Sequence, residues 1–578
     1  MGRIKQSLKN LKCFLFADDR KLGSRILLGA FAGFTFVLSF LLYNPIELYL
    51  NNSKHFSYSL GDILLPVLLT GLGAFLVILA LSVLLRGRVY NWFVTLLASL
   101  SLASLVQILF MNKSVGLLDG TKVQWRHFAT SAVVGLVIWA LIIVAFFAIL
   151  RFKKHIWKYA VSFACVLICV TQGTSLLSAA LFSNLDSKSV IMATTEGNME
   201  LSDKHNVVVL SVDSMDMRYT KEVMKNNPEY FDEFDGFTWY QNTMTHYFRT
   251  YPNLAVIFTG EEGCYDKPYD EYMKDAWENN EFLEEIADAG YDSRVYIRST
   301  YLNPDTEYLS RYVSNYKVID KNVYSVELEK RLLELSAFRS APVALKPFFE
   351  TDTSEINGAI GSNNYELLDN DDSHFYKKLV DEGLSLNDKL GEKGTFTYFH
   401  FIGCHAPYRF DSNCISSTDA NLTIRDATRG VLTNIAEYLR QMKEQGIYDS
   451  SDIIITTDHG YTGRETELTR ERVVTLFHKP AGAKGDIEIS NSPQQLWNIR
   501  PTVLKAMGVE NYADYGTPFD EVAEDANIKR YFYMSGASED GSTREHNLIT
   551  YEVVGDANDF KNWKKIDTRP IKHPFLKG

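Results

Sequence analysis

Five runs of apolar residues constrain this chain more than any other feature of it. They cover 26–43, 63–85, 92–111, 128–150 and 159–182, and none contains Asp, Glu, Lys or Arg. A helix of roughly 20 apolar residues crosses a bilayer. Soluble cores seldom sustain such a pattern five times in succession. The first run lacks a small-residue cleavage site and four more follow it, so it is expected to be a retained span and no signal sequence. Lys and Arg in the short loops set the orientation. Arg3, Lys5, Lys9, Lys12, Arg20, Lys21 and Arg25 precede the first run. Arg86 and Arg88 follow the second, and Arg151, Lys153, Lys154 and Lys158 follow the fourth. The other loops are poorer, with Lys54 in one and Lys113, Lys122 and Arg126 in the next. This bias predicts an inside N-terminus and an outside location for everything beyond Phe182. No ionisable acid or base sits within a run, which argues for an anchor and against an ion pathway.

The remainder has the composition of a soluble α/β protein. A chain of 578 residues exceeds one ordinary domain. The formal charge of −12 offers nothing to nucleic acid, which is excluded as a partner. The six cysteines show no paired zinc-knuckle spacing. Cys404 and Cys414 would lie outside the membrane, where a bridge is permitted. A bridge and free thiols are equally compatible with their spacing.

Beyond a polar linker at 184–205, apolar strand runs alternate with helical patterns. Strands are expected at 206–212, 291–297, 395–402, 453–455 and 472–477. Helices are expected at 276–289, 427–443 and 494–507, and 530–534 and 548–554 form a late edge. That alternation predicts a mostly parallel sheet covered on both faces. The stretch 301–370 is less regular and reads as an insertion with substrate-facing loops. The expected division is therefore 1–183 for the five-helix membrane domain, 184–205 for the linker, 206–545 for the α/β domain and 546–578 for a C-terminal edge and tail.

Chemistry-bearing residues follow the strands. Asp213 ends NVVVLSVD, His405 follows the 395–402 strand, Asp458 and His459 follow DIIITT, and His478 ends VVTLFH. Open α/β sheets place ligands beyond the carboxyl ends of their strands. A carboxylate beside an imidazole there is a plausible pair of metal ligands. Thr250, in FRTYPNLAVIFTG, stands where a loop enters a helix with proline in its first turn. Its hydroxyl is suited to be a simple N-cap or a nucleophile activated by a divalent ion.

The order NVVVLSVDS, RTYPNLAVIFTG, GCHAPY, TTDHG and LWNIRPTVLKAMG resembles the sulfatase-like branch of the alkaline phosphatase superfamily. With five spans in front, the chain looks like the membrane phosphotransferases of bacterial envelopes. That group includes lipoteichoic acid synthase and the phosphoglycerol and phosphoethanolamine transferases. The resemblance implies an extracytoplasmic sulfatase-like α/β domain. It makes Asp213, Thr250, Asp458 and His459 the ligands of one divalent ion, manganese or zinc. Thr250 becomes the nucleophile as well. His405 becomes a substrate-side or leaving-group histidine, and His478 a polar residue near substrate. Asp213 stands where the envelope transferases usually carry Glu. Sulfatases carry C/S-x-P-x-R, whereas this chain has Thr250-Tyr251-Pro252-Asn253-Leu254, and threonine cannot become formylglycine.

The resulting expectation is a membrane-anchored, metal-dependent phosphotransferase. It would move a phospholipid headgroup to an envelope glycan or glycolipid through a covalent threonine. Two alternatives stand beside it. One is a hydrolase of phosphate or sulfate esters using the same site. The other is an inactive binding or sensor protein on the same fold.

Overall fold

A computed structural model describes residues 21–53, 56, 58–112, 123, 125–183, 191–278, 280–298, 301, 307–349, 360–368, 371–419, 421–461, 472–536 and 545–574. Arg3, Lys5, Lys9, Lys12, Arg20, Cys13, Lys54, Lys113 and Lys122 lie outside that set. The chain divides into two compact units. One comprises Met1–Lys188 with Asn322–Gly361, and the other Ser189–Lys321 with Ser362–Gly578.

The first unit holds five long apolar helices: Leu22–Asn52 (α1), Leu60–Leu84 (α2), Gly87–Met111 (α3), Trp125–Phe152 (α4) and Lys154–Phe182 (α5). Each contains one of the five apolar runs, apart from the last residue of the second. Their length and composition are those of a multi-pass membrane protein. Leu65, Leu69, Val133, Leu141, Phe163 and Leu177 are more than half exposed, as lipid-facing side chains would be. Between helices, Ser39 donates to Gln172 at 3.1 Å and Trp157 donates to Thr95 at 2.9 Å. Such bonds satisfy groups that hydrocarbon cannot.

The stretch 322–361 departs from the sequence expectation, which put it inside the α/β domain. Its helix, Ser325–Ser340, buries Leu328, Leu332, Leu335 and Phe338. Those positions share one helical face and need an apolar surface. They find it on α1, α2 and the end of α3 within the membrane unit, with the Phe338 ring against Trp125 at the start of α4.

The second unit is built on a seven-stranded sheet. Its strands are His205–Val212 (β1), Thr238–Tyr240 (β2), Tyr291–Tyr296 (β3), Gly394–Phe401 (β4), Asp452–Thr456 (β5), Phe477–Lys479 (β6) and Glu488–Ser490 (β7). The order across the sheet is β7-β2-β6-β5-β1-β4-β3. The central strands β5, β1, β4 and β3 run parallel. β6 runs against both neighbours, so the sheet is mixed. Alternate residues serve opposite layers, as a pleat requires. Val208, Leu210, Ile453 and Ile455 enter one core, and Val207, Val209 and Ile454 the other. Helix Thr250–Thr259 (α6) contributes to the second core and Ile424–Glu444 (α7) to the first.

Three further differences concern the edges. The linker contains short strands at Ile191–Ala193 and Glu200–Leu201 that pair within the α/β unit. The expected strand 472–477 begins only at Phe477. The late edge is a separate antiparallel sheet of Lys529–Gly536 (β8), Asn547–Val554 (β9) and Trp563–Pro570 (β10). β10, WKKIDTRP, is exposed over all but its first residue, so it lacked the apolar alternation that marks a strand.

Candidate active site

Strand register brings the two carboxylates together. Thr456 pairs with Ser211, so Asp458 and Asp213 each lie two residues beyond a matched pair. β4 is in register on the other side of β1, with Phe401 opposite Val212. The loop carrying His405 therefore leaves the sheet at the same edge. Backbone bonds tie it there: Asp213 N–H donates to Phe401 O at 2.8 Å, and Cys404 N–H donates to Asp213 O at 3.1 Å. Gly403 permits this turn with φ of 43°, and a Cβ there would come within 2.3 Å of Val212. Ser214 also takes a left-handed φ, 62°, unusual for a non-glycine residue. Its N–H then reaches Asp458 Oδ1 at 3.3 Å, and its hydroxyl donates to Asp213 Oδ1 at 2.8 Å.

Among the described residues, Asp213, Asp458 and His459 form the one group of three metal-ligating side chains with ligand atoms within 4.8 Å of one another. His459 Nδ1 faces Gly460 O at 2.7 Å. That contact calls for a proton on Nδ1 and leaves the Nε2 lone pair pointing into the site. Nε2 lies 3.5 Å from Asp213 Oδ1, 3.5 Å from Asp458 Oδ2 and 3.2 Å from Thr250 Oγ1. Thr250 Oγ1 is 3.4 Å from Asp213 Oδ2. Donors about 2.1 Å from a tetrahedral ion stand about 3.4 Å apart. The four side chains thus have the spacing of one coordination shell. Among the described residues Asp458 Oδ2 is buried without a hydrogen-bond partner, as a ligand oxygen would be. Burial would raise the Asp458 carboxyl, but the His459 and His400 imidazoles outweigh it and hold the group well below the usual carboxylate range. The residues present fit a divalent cation.

Thr250 opens α6 and is itself almost buried. Arg249, not Thr250, is the N-cap residue, and its side chain makes no capping bond. The helix N-terminus faces the two carboxylates and His459. Both chain neighbours of Thr250 converge on buried Glu545. Tyr251 donates to its Oε1 at 3.0 Å, and Arg249 Nε lies 3.7 Å from the same oxygen. Tyr265 adds another bond at 3.0 Å.

No family model matches the chain, and no curated protein matches it. Solved structures do. An alkaline phosphatase superfamily protein from Vibrio parahaemolyticus is similar at 12% identity, with 66% of this chain and 85% of that one covered and a TM-score of 0.39. The phosphonate monoester hydrolase of Silicibacter pomeroyi is similar at 12% identity over 64% and 89%, with a TM-score of 0.36. The lipoteichoic acid synthase LtaP of Listeria monocytogenes is similar at 11% identity over 64% and 83%, with a TM-score of 0.35.

His405 is half-buried on the loop beside Asp213. His478 is elsewhere. It pairs with Ile454 in the interior of the sheet, and its Nε2 lies 3.8 Å from Asp452, six residues before Asp458. Six strand residues span roughly 20 Å. Because β6 runs antiparallel, the residue near its C-terminal end returns to the far edge. A parallel strand would carry His478 to the rim beside Asp458; the antiparallel β6 does not bring it to the site. Asp452 is instead shared by His478 and by His205 Nε2 at 3.0 Å. Cys404 and Cys414 are free thiols.

Other residues reach the site without having been singled out from sequence. His400 on β4 presents Nε2 to Asp458 Oδ2 at 3.4 Å, the oxygen that His459 Nε2 also approaches. A histidine among the buried phenylalanines of FHF was the available signal. Arg298, just beyond β3, lines a small cavity with Asp372, Tyr296 and His400, and among the described residues its Nε has no hydrogen-bond partner. Burial lowers its guanidinium pKa, opposed by Tyr301, Asp213 and Asp372 and assisted by Arg409. Asp372 accepts from Gly403 N–H at 2.6 Å and Ile402 N–H at 3.2 Å, beneath the His405 loop. Burial pushes its carboxyl up to about 7.

Proposed function

We propose that this chain is a membrane-anchored phosphotransferase of the sulfatase-like type, facing outward and drawing its phosphoryl group from phospholipid. The observation that carries the reading is the shell of Asp213, Asp458, His459 and Thr250, with the threonine hydroxyl among three metal-ligand side chains. A divalent cation bound there, manganese or zinc, would favour the ionised form of the hydroxyl and offset charge on the phosphoryl oxygens. Thr250 Oγ1 attacks phosphorus, and its proton leaves towards Asp213 Oδ2. The P–O bond to the lipid alcohol breaks as His405 gives that oxygen a proton. A hydroxyl of an envelope glycan or glycolipid then attacks the same phosphorus and returns its proton to His405. The P–O bond to Thr250 breaks, and the threonine recovers its proton from Asp213. Arg298, whose guanidinium interacts electrostatically with Asp213, supplies a cationic group beside the shell on which an anionic group can rest.

Water in place of the glycan hydroxyl gives the hydrolase reading, with the same residues in the same roles. An inactive binding protein would have no need for Thr250 in the shell. The purified full-length chain, given phospholipid labelled in its headgroup and a glycan acceptor, tests these readings together. Label appearing on the glycan supports transfer. Release of free labelled headgroup in the presence of acceptor would replace it by hydrolysis, and no turnover of any phosphoester would contradict both.

A further inference from the structure

The segment 341–349, APVALKPFF, leaves the Ser325–Ser340 helix and lies against α4. That helix is fixed at the ends of three spans. Ser336 donates to Phe40 O at 2.9 Å, Asn44 to Ser340 at 2.7 Å, and Asn112 to Arg339 O at 2.9 Å. Arg339 pairs with Glu47, and the Phe338 ring meets Trp125 at 6.1 Å. This polar and aromatic level is where a bilayer interface belongs. The chain then goes deeper. Val343 N would lie 3.8 Å from a Cβ on Gly135. Gly135 is seven residues beyond Phe128, where the apolar run begins, or about 10 Å along a helix.

At that depth the segment turns its apolar side chains outward. Phe348 is 79% exposed and Leu345 44%. Its single charge is turned inward. Lys346 is buried, and its ammonium bonds the Phe338 carbonyl and sits 4.6 Å from the Phe338 ring centroid. A lysine drawn back towards the interface is the behaviour of that residue at a membrane boundary. Alongside, Val133, Val134, Leu136 and Val137 of α4 are exposed as well. The outward face of 341–349 therefore continues a surface already suited to lipid.

We propose that 341–349 is a wedge inserted into the hydrocarbon of the leaflet on the side where α1 ends. The chain enters the 322–361 excursion from the α/β unit and returns to it. The wedge is thus a second attachment of that unit's chain to lipid, besides α5. This inference rests on the membrane character of the five helices and is independent of the phosphotransfer reading.

Spin labels on the full-length protein in phosphatidylethanolamine–phosphatidylglycerol nanodiscs test it. Label would be placed through Phe348→Cys, Leu345→Cys, Leu141→Cys on the lipid face of α4, and Leu386→Cys on the α/β unit, with native thiol background subtracted. Oxygen should relax labels at 345 and 348 more than a water-soluble nickel chelate does, as at 141, whereas 386 should show the reverse. Nickel-favoured relaxation at 348 would overturn the proposal. So would closure to both reagents, which would mean that another protein surface covers the segment. Unmodified protein and phospholipid with a photoreactive acyl chain give a second measurement. Adducts should map to peptides spanning 341–349, and adducts on α4 without any on those peptides would count against the wedge.

Discussion

The hydroxyl of Thr250 carries the proposed chemistry, and single substitutions separate its roles. Thr250→Ala removes the attacking oxygen and should lower kcat/KM by roughly 10³-fold or more in a steady-state assay. Thr250→Ser keeps an oxygen and should retain measurable turnover. A folded alanine variant with near wild-type rate would take Thr250 out of the mechanism. Asp372 gives a prediction in pH. Its folded pKa is raised to about 7 by burial, above the ordinary carboxyl value near 4. Between those values the folded form binds a proton that the unfolded chain has lost. Stability therefore falls as pH rises from about 4 to about 7, by on the order of 4 kcal/mol for this group, and is flat beyond. Asp372→Asn should remove that slope in thermal unfolding of the full-length protein. Parallel pH profiles for variant and wild type would show that Asp372 is not raised.

At the scale of elements, the sequence located what period and punctuation can locate. NVVVLSV and DIIITT are buried on both faces, and such runs are legible without a structure. Asp213, Asp458 and His459 followed from them, because residues just past parallel strands converge once register is set. His478 marks the limit of that argument. Strand direction is decided by connections and pairing, which VVTLFH does not encode. His400, Arg298 and Glu545 were missed for a related reason. Each reaches the site, or the start of α6, through packing between segments far apart in the chain. His478→Ala tests the placement. It should leave kcat/KM within about twofold, yet cost roughly 1–3 kcal/mol by removing a buried partner of Asp452 and its contact with Phe519. A thousandfold loss of activity in a stable variant would return His478 to the site.

For the whole molecule, five apolar runs foretold the membrane unit closely, since charge exclusion over such lengths has few other solutions. The division between units was less legible. The 322–361 stretch carries many charges and resembles a soluble helix, and only its partner surface assigns it to the membrane unit. The α/β unit in turn owes its proposed activity to one ion that four residues are spaced to hold. Elemental analysis of the purified full-length chain is the most direct test. One divalent ion per chain is expected, lost in Asp458→Ala and in His459→Ala while both variants remain folded. A wild-type protein that turns over substrate without bound metal, or a folded Asp458→Ala protein that keeps its full equivalent, would contradict that expectation.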